Sequence, residues 1–110
     1  MYFADDMDAE RSYITIHNHP SSNTFSPQDV YTFLDIVPVV CSVIQCHDGN
    51  IYMLQKMKRL RYALQEHYFN DAFMELLENA KYKNKTFSEK QTIFIDNVCK
   101  QFHLTYRKAD

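Results

Sequence analysis

Two histidines one residue apart, His17 and His19, precede a single carboxylate, Asp29, at a distance a short loop can span. Side chains alternate across a β-strand, so imidazoles at i and i+2 project to the same side wherever the chain is extended. Pro20 restricts His19 to extended or polyproline geometry and helps carry that arrangement through the second ring. Ser26-Pro27-Gln28-Asp29 reads as a helix start, with Ser26 as N-cap, Pro27 at the first helical position and Asp29 as a first-turn carboxylate. Folding that turn back to the strand end brings two nitrogens and one oxygen together, a usual donor set for catalytic zinc with the fourth position left to water. Water on such an ion is acidic enough to supply hydroxide near neutral pH. Each residue also has a structural alternative. The histidines can bond to backbone at a loop edge, Ser26 can serve as a cap worth roughly 1 kcal/mol, and Asp29 can serve the helix dipole alone.

The elements that must hold these residues are legible from periodicity. Residues 1–11 are polar and acidic, without either period, and read as a lead-in. Ser12 to His17 is rich in β-branched and aromatic residues and is bounded by the turn-forming run 18–23, which predicts a short strand entering a loop. The Ser26 helix is expected to reach Leu34 or Ile36 and to stop before Pro38. Val37 to Cys46 is nearly all apolar, as in a strand buried on both faces. Asp48-Gly49 then signals a hairpin, with Ile51 to Leu54 as its returning strand.

From about Lys58 to Tyr82 the apolar residues recur at helical spacing, with Phe69, Phe73, Leu76, Leu77 and Ala80 as one stripe. One long helix is expected there, or two with a break near Asn70-Asp71. Ser88-Glu89-Lys90-Gln91 fits a capping box for a last helix whose apolar face is Ile95, Val98, Cys99 and Phe102. Leu104 to Arg107 reads as a terminal strand. The expected fold is α+β in one domain over 1–110, with a motif-bearing strand, helix and hairpin in 12–55 and a helical part in 56–110.

Composition narrows the partners. The 110 residues are 45% hydrophobic, with eight Tyr and eight Phe, which is enough to build one core without disulfides. A net charge of -2 and a pI near 6.2 give no electrostatic reason to expect nucleic acid. The basic run 56–61 reads as a solvated helix face. Cys41, Cys46 and Cys99 show no paired spacing, which points away from a disulfide framework or a Cys-rich zinc site and toward a reducing compartment. No apolar run approaches a membrane span and the acidic start lacks signal-peptide character, so the expected location is the cytoplasm. Oligomeric state leaves no trace in the sequence.

The run His17-Asn18-His19-Pro20, followed by Ser26 and Asp29, resembles the His-x-His-Pro…Ser-x-x-Asp signature of the JAB/MPN (JAMM) metallopeptidase fold. The wording Ile-His-Asn-His-Pro-Ser-Ser, then Phe-Ser, then Asp-Val-x-Thr-Phe is similar to its RadC-like branch, including domains attached to phage head-morphogenesis proteins and polymorphic toxins. The resemblance covers roughly the first half of the chain. It implies a cytidine-deaminase-like layered fold, zinc held by His17, His19 and Asp29, Ser26 on the oxyanion side, and an upstream Glu as general base. The reaction it implies is hydrolysis of peptide or isopeptide bonds in a peptide or protein substrate.

Two departures accompany that likeness. The loop from His19 to Ser26 is one residue shorter than the family pattern, and only Glu10 lies upstream, close to the His strand rather than on a separate one. The expectation is therefore a JAMM-like domain without the N-terminal part of the fold. Its alternative is a degenerate, non-catalytic interaction module of a phage-derived or toxin-associated protein. The letters His-Asn-His also occur in HNH nucleases, whose ligands and bases are dispersed over a ββα unit, so the contiguous spelling here carries no weight.

Overall fold

A computed structural model describes residues 12–19 and 23–109. The lead-in 1–11, with Glu10, and residues 20–22, with Pro20, lie outside the described residues. The order of elements is β1 (Tyr13–His19), α1 (Pro27–Asp35), β2 (Val39–Cys46), β3 (Ile51–Lys56), α2 (Tyr68–Glu78), a 3₁₀ turn (Ala80–Tyr82), α3 (Phe87–Phe102) and β4 (Leu104–Ala109). The strands form one mixed sheet in the order β1-β2-β3-β4, with β1 parallel to β2 and the other pairs antiparallel. This is an α+β domain.

The parallel pair follows from the connection. A helix must carry the chain back before β2 can run alongside β1, and α1 does so. The register slips between Tyr13 and Ile14, so that Tyr13 faces Val39 and Ile14 faces Cys41. This bulge leaves Val40 over and switches the alternation. Val39 therefore faces inward before it, and Ser42, Ile44 and Cys46 face inward after it. The β2–β3 hairpin turns through Gly49, which takes the positive φ of 90° that its lack of a Cβ permits. His103 is the other positive φ among the described residues, at 56°, and it ends α3 in left-handed geometry before β4 begins.

One apolar cluster unites the sheet and all three helices. Phe25, Val30, Phe33 and Leu34 meet Ile44 and Leu54, and Phe69, Phe94 and Phe102 add a block of edge-to-face rings. The opposite side of the sheet has no helix over it among the described residues, and there Ile14 and Ile16 are 66% and 62% exposed.

Several expectations need correction. The His strand does not stop at His17 but continues to His19, held by pairing with β2 as far as Cys46. The stretch 57–67 is not helical. Tyr62 and Leu64 pack inward at a spacing of two while their neighbours are exposed, the mark of an extended segment. The expected break at Asn70-Asp71 is absent, because α2 runs unbroken through both. The box that caps α3 is Thr86 with Glu89, not Ser88 with Gln91. The strand expected at Leu104 to Arg107 is present as β4, which runs to Ala109 and pairs along the whole of β3. No helix among the described residues is long and apolar enough to cross a membrane.

The last turn of α1 holds no basic residue, so the cation that its carbonyl end favours comes from β3. Lys56 Nζ donates to the carbonyls of Ile36 (3.0 Å) and Val37 (3.3 Å) and lies 4.7 Å above the Phe33 ring. Its side chain is buried. Loss of hydration, and secondarily the Arg59 guanidinium, push this ammonium down to about 8 from its ordinary 10.5. Between those values the unfolded chain binds more protons than the folded one, so stability rises with pH through the window. Relative to Lys56→Met, which does not titrate, the wild-type unfolding free energy should gain up to about 3 kcal/mol from pH 8 to 10.5. Urea denaturation at matched pH measures this, and a difference that stays flat contradicts it.

Candidate functional site

The extension of β1 through position 19 puts His17 and His19 on one side of the strand, the helix-bearing side that also carries Thr15. Thr15 is buried there and its hydroxyl donates to Ser42 Oγ (3.1 Å), tying β1 to β2 beneath the rings. The two histidines stand about 6.6 Å apart along the strand. Beyond His19 the chain enters α1, and the strand end and helix start that a parallel crossover brings together are where open α/β layers concentrate their ligands.

Ser26 begins α1 as expected. Its Oγ accepts from Asp29 N (3.1 Å), while Asp29 Oδ2 accepts from Ser26 N (2.9 Å). This reciprocal box fixes the Asp29 carboxylate, and the same Oδ2 lies 3.4 Å from His19 Nε2. The other ring nitrogen of His19, Nδ1, sits 3.2 Å from the Asn23 carbonyl. Both partners are acceptors, so a neutral ring can donate to one of them; when Nδ1 donates to Asn23 O, Nε2 keeps its lone pair on the Asp29 side. An imidazole whose second nitrogen is held by a backbone carbonyl is the usual arrangement for a metal-ligating histidine. Two ligands of one tetrahedral zinc, each about 2.0–2.1 Å from the ion, stand about 3.3 Å from each other. The His19–Asp29 pair fits that spacing.

The connecting loop is pinned from four directions. Asn23 O takes both the His19 ring and the Cys46 thiol (3.5 Å). Gln91 Nε2, from α3, donates to Thr24 O (3.4 Å) and Phe25 O (3.2 Å). Tyr106 OH, from β4, donates to Thr24 Oγ1 (2.9 Å), and its ring meets Phe25 edge to face. Burial holds the Tyr106 phenol up at about 12, so it remains a donor at any physiological pH.

His17 lines a cleft of about 340 Å³ together with Asp29, over a floor of Phe33 and Ile44. Burial lowers its pKa, against the opposing pull of the Asp29 carboxylate, and so favours the neutral imidazole that can act as a ligand. His17 thus shares a wall with Asp29, and Asp29 meets His19. As the side chains stand, no three His, Cys, Asp or Glu groups among the described residues converge on one point that could hold a metal ion. The donor types fit zinc; the third donor is on the correct strand face without closing the triad. Glu10 lies outside the described residues.

Sequence reading gave Gln91, Tyr106, Thr24 and Cys46 no role at the site. Gln91 did leave a signal, since it occupies the core stripe of α3 in line with Ile95, Val98 and Phe102, where a polar residue demands a partner. Compared with known proteins, the chain matches no family model, no curated protein and no solved structure.

The box at Ser26 has a direct energetic consequence. Ser26→Ala should lower the unfolding free energy by about 1 kcal/mol, whereas Ser26→Asn, an equally good cap, should stay within about 0.5 kcal/mol of wild type. Equal losses for the two variants in chemical denaturation would remove capping as the role of this hydroxyl.

Proposed function

We propose that this protein is a zinc-dependent hydrolase of peptide or isopeptide bonds, of the JAB/MPN (JAMM) type, with His17, His19 and Asp29 as the metal ligands. The observation that carries the reading is the His19–Asp29 pair, 3.4 Å apart, with the far nitrogen of the imidazole held by Asn23 O. It is supported by His17 on the same strand face and by the cleft that His17 and Asp29 share. Held by these residues, zinc would supply Lewis-acid polarisation of a scissile carbonyl and would acidify water.

The chain's own residues do the rest. His17 stays neutral and so keeps a lone pair. His19 keeps Nε2 for the ion when Nδ1 donates to Asn23 O. Asp29 is oriented by the backbone of Ser26, whose hydroxyl oxygen accepts from Asp29 N and keeps its own proton to donate toward a substrate oxygen. The cleft between α1 and the sheet is large enough for a side chain of a peptide substrate. Glu10 is the proposed general base, and the reducing cytoplasm, with all three cysteines free, is the proposed setting.

A second reading is a non-catalytic, degenerate JAMM-like interaction module of a phage-derived or toxin-associated protein. The exposed apolar side of β1, Ile14 and Ile16, favours it. Purified protein should carry stoichiometric zinc by elemental analysis, and the His17→Ala, His19→Ala double variant should carry none. Unchanged metal content in that variant sinks the metal assignment. Peptidase activity abolished by Glu10→Gln would reject the interaction-module reading.

A further inference from the structure

Gln91 is 4% exposed, and its amide is committed to the backbone of another element. Both carbonyls it serves belong to Thr24 and Phe25, which lie between the carbonyl that holds His19 and the cap that holds Asp29. Its own oxygen, Oε1, is buried without a hydrogen-bond partner among the described residues. The amide cannot be turned over to relieve this, because Oε1 would then face two acceptors. A buried acceptor left unpaired is a net loss to stability. An apolar residue here would complete the α3 stripe without that loss, yet would leave two loop carbonyls without donors. The side chain thus favours the geometry of loop 23–26 at the expense of the core.

We propose that Gln91 is a positioning residue for the His19–Asp29 pair, acting through the loop 23–26, with Tyr106 as its companion on the Thr24 side chain. The inference rests on the reading of that pair as metal ligands. The chain of contacts is short. Gln91 fixes the Thr24 and Phe25 carbonyls, and Asn23, next in line, offers its carbonyl to His19 Nδ1. On the other side Ser26 N holds Asp29 Oδ2. Release of the amide lets Asn23 O and Ser26 N move relative to each other, and with them the two donors whose separation sets the site.

The test uses the full chain and two variants, Gln91→Met, which keeps length and apolar packing, and Tyr106→Phe, which removes only the hydroxyl. Cobalt(II) titration followed by its visible spectrum should show affinity lowered on the order of 10- to 100-fold in Gln91→Met, and by less in Tyr106→Phe, with the far-UV spectrum unchanged. A readout independent of metal is the His19 ring tautomer at pH 8, from long-range nitrogen–proton NMR. Wild type should show the proton on Nδ1, and Gln91→Met a mixture. Wild-type cobalt affinity together with a wild-type tautomer in Gln91→Met overturns the proposal. If the wild type itself takes up no cobalt, the metal-site reading falls, and the tautomer alone decides whether Gln91 sets the ring. Should Gln91→Met fail to fold, the same two measurements on Tyr106→Phe decide, and wild-type values there overturn it.

Discussion

Three successive carbonyls, those of Asn23, Thr24 and Phe25, sit under the start of α1 where regular pairing cannot reach them, and each is met by a side chain. Thr24 and Phe25 are buried, where a backbone carbonyl needs a protein donor. The solution here draws on every layer: a thiol from β2, an amide from α3, a phenol from β4 acting on the neighbouring hydroxyl, and the His19 ring itself. The segment 23–25 is tied down by these partners, and the histidine that helps hold it is oriented in return. Structure and the proposed chemistry use the same hydrogen bond.

The helix that follows is fixed at both ends by groups of opposite character. Its start is closed by the Ser26–Asp29 box and its end by the Lys56 ammonium reaching from β3. Between them Val30, Phe33 and Leu34 anchor it in the core. Asp29 therefore cannot drift without breaking its own cap, and a carboxylate on the first turn becomes a fixed wall of the cleft rather than a mobile surface charge. The far side of the sheet is built differently, with β1 at its edge showing two isoleucines to solvent where alternation would place polar residues.

Local structure was legible where a residue type favours one backbone geometry. Ser26, Pro27 and Asp29 announced the helix start, and Asp48-Gly49 announced the hairpin. Same-side placement of His17 and His19 depended on an extended backbone through position 19, which pairing with β2 supplies. What failed were patterns with two readings. Thr86 to Glu89 and Ser88 to Gln91 both spell a capping box, and the first prevails because Gln91 is drawn into the core. Residues 57–67 contain apolar side chains that fit either period, and extended packing of Tyr62 on Phe102 decides it. The clamp on the motif loop was invisible for a different reason: its partners come from the other end of the chain, and no local window contains both.

That separation sets when the site can exist. Tyr106 and Thr24 are 82 positions apart, and Gln91 and Thr24 are 67 apart, so loop closure must precede any of these contacts. Until α3 and β4 have folded back onto the earlier elements, the histidine strand and the α1 cap can form while the segment 23–25 between them stays unclamped. A folding chain therefore passes through a stage in which the proposed donor residues are present and unarranged, and their arrangement is completed only with the long-range contacts.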